Sequence, residues 1–131
     1  MGFLQKRGSE WSLRLGLGIM YLYSGYDIIM HPSAWQWAVI RLPQFIQNSI
    51  NQLGVDTYLK VQGISEAVLG LLLLVWILPR IALRWVSFLI ALEMAGILFF
   101  VGVDAITFRD IGLLGAAASL FFITVKPYGS I

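Results

Sequence analysis

Two carboxylates stand where charge is least tolerated. Glu66 lies inside an apolar run at residues 57–78, and Glu93 lies inside another at 81–102. An ionised side chain at the centre of a membrane helix costs roughly 3 kcal/mol on insertion scales, so such a residue turns inward and commonly has a task. Two nearby carboxyls in a low dielectric would not both ionise, so at least one is expected to hold its proton at neutral pH. A protonated carboxyl can donate a hydrogen bond to a carbonyl oxygen or pass a proton to a bound molecule. The same two residues could instead only bridge helices through hydrogen bonds, a modest and common use of polar groups in membranes.

Helical rise places both acids at one level. Each lies about nine residues below the outer end of its run, roughly 13–14 Å deep at 1.5 Å per residue. Tyr21 sits at a similar depth on the first run. Gln62 is one turn outward of Glu66 on the same face, and Ser24 and Ser119 lie within about a turn of this level. A polar layer across the middle of a helix bundle is therefore expected. Three further residues are candidates around it. Arg14, near the inner end of the first run, either snorkels to headgroups or pairs with an acid. Arg109 and Asp110 open the last run; either a helix cap and a headgroup contact account for them, or Arg109 reaches inward toward the acids as a cation near a ligand headgroup. Asp27 and His31 are four apart and can pair at the end of the first run.

The missing residues narrow the chemistry. The chain has no cysteine and one histidine, His31. Disulfide exchange, iron–sulfur clusters, covalent haem, bis-histidine haem and Cys/His zinc sites are excluded within one chain. No Walker loop, dinucleotide fingerprint or nucleophile elbow is present. A net charge of +2 is too small to argue for nucleic acid. Any redox role would need a non-covalent organic cofactor, such as a quinone, or a partner protein.

The elements that must position these residues are greasy. The 131 residues are 59% hydrophobic and 12% charged, with a mean hydropathy of +0.82. A soluble domain of this size exposes too much surface to hide that composition. Four membrane spans are predicted at about 11–30, 57–78, 81–102 and 108–125. The first is read as a retained signal-anchor, stopped by Pro32. Asp56 is placed as N-cap of the second span. Pro79-Arg80 joins the second and third as an antiparallel hairpin. Thr107-Phe108-Arg109-Asp110 has the form of a capping box before the fourth.

The only long connection is interfacial in character at 34–53, with Trp35, Trp37, Val39, Ile40 and Leu42. Its second half, 43–53, reads as an amphipathic helix. Phe45, Ile46, Ser49, Ile50 and Leu53 form one face, and Gln44, Gln47, Asn48, Asn51 and Gln52 the other. It either lies flat on the membrane or folds over the bundle mouth, passively or as a lid. Charge orients the chain. With four spans, Lys6, Arg7, Arg14, Arg80, Arg84 and Lys126 share a side with Glu10, a net of +5, while the opposite side carries −1. Both termini are expected to be cytoplasmic in a plasma membrane. Glycines on the first two spans, and Gly112…Ala116 and Gly115…Ser119 on the fourth, predict close helix approach. The expected fold is all-α: a compact four-helix membrane bundle in one domain, with small-residue faces left for a homodimer.

These segments together resemble the DoxX-like membrane proteins, a group of small four-span bundles, over about residues 12–126. The resemblance rests on Arg14-Leu15-Gly16-Leu17-Gly18, Ser24-Gly25-Tyr26-Asp27, Pro32-Ser33-Ala34-Trp35, Gly63-Ile64-Ser65-Glu66-Ala67-Val68-Leu69-Gly70 and Arg109-Asp110-Ile111-Gly112-Leu113-Leu114. One position departs: Ile28 stands where family members often carry a lysine. The resemblance implies association with a membrane oxidoreductase of the thiosulfate:quinone type, or a chaperone role toward membrane proteins. The expected function is a small subunit of a redox assembly that holds a quinone or similar lipid-soluble molecule at Glu66, with Glu93 and Tyr21 completing the layer. The alternatives are an assembly factor for client membrane proteins and a small proton-coupled transporter. A channel is disfavoured, because the span faces are too apolar to line a pore.

Overall fold

The computed structural model of the chain describes residues 3–102 and 109–125. Every regular element among them is helical. Helix α1 is Phe3–Met30, followed by a 3-10 turn at Pro32–Trp35; α2 is Gln36–Ile40, α3 Gln44–Leu53, α4 Val55–Leu74, α5 Arg80–Phe100 and α6 Arg109–Val125. Two of them, α4 and α5, are long and apolar enough to cross a membrane. Thr107 and Phe108 of the expected capping box lie outside the described residues.

The closest pairings are α1 with α4 and α5 with α6, and the two pairs meet through α1–α6 and α4–α5. The second and third spans form the expected antiparallel hairpin about Pro79, with Gln62 bonded to Glu93, but each packs more closely on another helix. Glycine decides the first pairing. Gly18 and Gly25 on α1 face Gly70 and Gly63 on α4. A Cβ on Gly25 would stand 2.5 Å from the Gly63 carbonyl oxygen, and one on Gly70 would stand 2.7 Å from that of Gly18. Only hydrogen fits at such a backbone approach. The small residues of α6 do the reverse of what their spacing predicts: a Cβ on Gly112 or Gly115 meets nothing within 4 Å.

Helix ends follow local chemistry. Pro32 lies just beyond the end of α1, and Pro43 precedes α3. Gly54 turns α3 into α4 at φ 100°, a conformation that strains any residue with a Cβ. Gly54 is thus the N-cap of α4, and Asp56 falls within its first turn rather than at the cap. Helix α4 stops at Leu74, four residues short of the expected end. Pro79 lacks the N–H that would bond the Val75 carbonyl, and it disfavours helical backbone at Leu78. Arg14 takes over instead. Its Nε donates to the Leu73 carbonyl at 2.7 Å and its Nη2 to that of Val75 at 2.5 Å. Arg80 and Arg84 serve α6 in the same way. Both donate to the Thr124 carbonyl, and Arg80 also donates to that of Ile123.

Two apolar cores result. The larger joins the four long helices through Leu17, Tyr21, Leu73, Leu83, Ile90 and Leu120. The smaller, Ile28, Val39, Ile50 and Leu59, pins the α2–α3 segment across the ends of α1 and α4. The outward faces are apolar as well. Val61, Ile64, Val68 and Leu71 form an exposed stripe on α4, and Leu15, Ile19, Tyr23, Tyr26 and Met30 one on α1. Arg14, Glu66, Ser87 and Thr124 are buried. The polar-out, apolar-in arrangement of a soluble bundle is absent from these faces.

Candidate functional site

The two helix pairs separate toward one end and enclose a cavity of about 840 Å³. Its walls come from all four long helices: Met20, Ser24 and Asp27 from α1; Leu59, Gln62 and Glu66 from α4; Glu93, Ile97 and Phe100 from α5; Arg109, Asp110 and Leu113 from α6. Trp35, Trp37, Val39, Leu42 and Ile46 of the connecting segment line it too. That segment therefore lies across the open end of the cavity. Its amphipathic face is divided. Ile50 is buried in the small core, whereas Phe45 and Leu53 remain 69% and 58% exposed.

The cavity's floor is the expected polar layer. Ser24 Oγ donates to Glu66 Oε1 at 3.1 Å, and Gln62 Nε2 donates to Glu93 Oε1 at 2.9 Å. The first bond ties α1 to α4 and the second ties α4 to α5. Helical geometry makes this possible, since Gln62 and Glu66 are one turn apart on α4. Gln62 also reaches Glu66, and Tyr21 reaches Glu93, so the two carboxyls share one set of polar neighbours. Tyr21 is fully buried behind Glu93, and its hydroxyl faces that carboxyl without a hydrogen bond of normal geometry. Below this level the larger core closes the space, with Met94, Ile90 and Ala117 all buried.

The sequence candidates therefore divide by position. Glu66, Glu93, Gln62, Arg109 and Asp110 line one cavity, with Tyr21 directly behind it. Arg14 is elsewhere. It is buried at the far end of the α1–α4 pair and pairs with an acid there, Glu10 at 3.6 Å rather than Glu66 or Glu93, with the Trp11 ring at 4.1 Å. The unpaired carbonyls at the end of α4 attract it. Ser119, expected near the layer, is exposed on the outer face of α6.

The mouth has a feature that spacing only half revealed. Asp27 Oδ1 lies 3.4 Å from His31 Nδ1, as the i,i+4 spacing suggests. Its other oxygen accepts from Trp35 Nε1 at 2.8 Å. The second contact anchors the 3-10 turn to α1 and needs the chain reversal at Pro32, so helical periodicity could not show it. A smaller recess of about 290 Å³ adjoins, lined by Asp27, Ala34, Trp35, Trp37 and Arg109. Among the described residues no group of His, Asp and Glu side chains is arranged to hold a metal ion. A scan against protein-family models finds no match to the chain, and neither the curated proteins nor the solved structures searched show a match.

Proposed function

We propose that the chain is a four-span membrane bundle that binds a lipid-soluble small molecule in the cavity between its helix pairs, headgroup toward Glu66 and Glu93. The observation that carries this reading is the blind cavity with its floor of two carboxyls. Its volume falls in the range of small-molecule sites, and its walls are mostly apolar with a few convergent polar groups. The membrane setting is supported by exposed apolar stripes around buried polar residues. The positive-inside asymmetry then puts both termini on the cytoplasmic side of a plasma membrane and the mouth on the outer side. The packed inner half provides no continuous path, which favours a binding subunit over a channel.

A quinone or similar molecule is the ligand suggested by the resemblance to DoxX-like proteins, and attachment to a membrane redox assembly comes from the same source. In that role a protonated carboxyl at Glu66 or Glu93 donates to a carbonyl oxygen of the headgroup. Mass spectrometry of an organic extract of detergent-purified protein tests the proposal. A lipid-soluble aromatic molecule is expected, depleted at least tenfold in Glu66→Gln. An extract containing phospholipid alone would refute it. Exposed Phe45 and Leu53 on the roof favour a second reading, an assembly factor that engages client membrane proteins. In that case client recovery falls in a Phe45→Ser, Leu53→Ser variant and is indifferent to Glu66→Gln.

A further inference from the structure

The cavity is unevenly charged. Among the described residues four carboxyl side chains line it, Asp27, Glu66, Glu93 and Asp110, against one guanidinium, Arg109. One proton held by the Glu66–Glu93 pair still leaves the balance negative. Low-dielectric walls focus such a field and reject anions. The donors at the floor, Ser24 Oγ and Gln62 Nε2, are turned onto the carboxyls rather than into the cavity. The walls above are aromatic, with Trp35, Trp37 and Tyr58, which offer large apolar surfaces to the body of a ligand. Tyr21, fully buried behind the floor, turns its hydroxyl to Glu93. A cation seated between the carboxyls would hold Glu93 as an anion, a stronger acceptor for that hydroxyl than a neutral carboxyl.

We infer that this cavity takes a lipophilic ammonium ion, a protonated amine on an apolar body, with Glu66 and Glu93 as its counter-ions and the tryptophans of the roof against its apolar part. The inference rests on the cavity being a ligand site, as proposed above, and adds a cationic ligand class that competes there with a neutral one. An ammonium group brings both the missing positive charge and several N–H donors to a floor made of acceptors. A carbonyl headgroup brings neither.

Three isosteric probes test it: 4-phenylbutylammonium, 4-phenylbutanol and 5-phenylvalerate, titrated calorimetrically at neutral pH into the detergent-purified protein, with blank micelles subtracted. The ammonium ion is expected to bind at least tenfold more tightly than the alcohol, and the carboxylate not to bind. In a Glu66→Gln, Glu93→Gln double variant the ammonium-to-alcohol ratio should fall to about one. Asp110→Asn, at the mouth, should lower the same ratio by about threefold, which gives a readout if the double variant does not fold. Equal binding of ammonium and alcohol to the unaltered protein would overturn the inference. So would a preference that survives the double variant, or the Asp110 variant where that alone folds. If the alcohol and a short-chain quinone bind while the ammonium ion has no advantage, only the inference fails. If none of the ligands binds, the cavity reading fails with it.

Discussion

Arg14 and Tyr21 sit on the same face of α1, two turns apart, yet they make opposite contributions. Arg14 is a buried cation satisfied by two carbonyls and a nearby carboxylate. Removing it leaves the end of α4 and Glu10 unpaired, so Arg14→Ala should destabilise the fold by about 3 kcal/mol, seen as a lower thermal midpoint in detergent. Arg14→Lys should recover part of this, because an ammonium cannot fork to two carbonyls from one plane. Tyr21 is as deeply buried, but its hydroxyl faces Glu93 without a hydrogen bond of normal geometry. Tyr21→Phe should therefore shift stability by no more than about 0.5 kcal/mol, since no native hydrogen bond is lost. A loss above 1.5 kcal/mol would mean that the hydroxyl is bonded to Glu93 in the folded protein.

Between elements, backbone contact rather than side-chain interdigitation sets the α1–α4 pairing. A Cβ at Gly63 would come within 2.8 Å of the Gly25 carbonyl oxygen and 2.7 Å of Ile29 Cγ1. Gly63→Ala should force the helices apart and cost about 1–3 kcal/mol. Gly115→Ala, on an open face of α6, should be neutral or stabilising by up to about 1 kcal/mol from helix propensity. Unfolding both variants in the same detergent checks the contrast; equal effects would refute a glycine-set interface. The roof is held differently, by its small apolar core and by the Trp35–Asp27 bond. Asp27→Asn weakens that bond from charge-assisted to neutral. It should raise the dissociation rate of a cavity ligand several-fold while leaving global stability nearly unchanged, measurable by stopped-flow displacement.

For the whole molecule, the charge asymmetry and the exposed apolar faces make one topological prediction. The chain contains no cysteine, so single cysteines can be introduced without removing native ones. Asn48→Cys lies on the exposed polar face of α3 over the mouth, and Ser9→Cys is exposed near the start of α1. In intact cells a membrane-impermeant maleimide should label Asn48→Cys at once, and Ser9→Cys only after permeabilisation. The reverse pattern would invert the proposed orientation. Labelling of both in intact cells would exclude a four-span topology.

Much of this was legible in the sequence, for physical reasons that particular residues make plain. Glu66 and Glu93 were found at one depth because rise per residue is constant along a helix, and Gln62 beside Glu66 because helical periodicity is local. Helix α3 was legible for the same reason, since the turn signals Pro43 and Gly54 bracket an amphipathic run. Local rules could not say which helix faces which. The closest partner of α4 is α1 rather than its chain neighbour α5, because four glycines in matching positions permit a backbone approach no other pair can make. The place of Arg14 depended on where α4 ends, and that end depends on Pro79 and on Arg14 itself. Likewise the two acids were foreseeable singly, but their shared cavity exists only because the helix pairs diverge beneath a roof pinned by Ile28, Val39, Ile50 and Leu59. Sequence by itself determined the common level of Glu66 and Glu93 and the face that Gln62 shares with Glu66; tertiary packing decided which faces meet and where space is left between them, because contact between distant segments depends on shape rather than period.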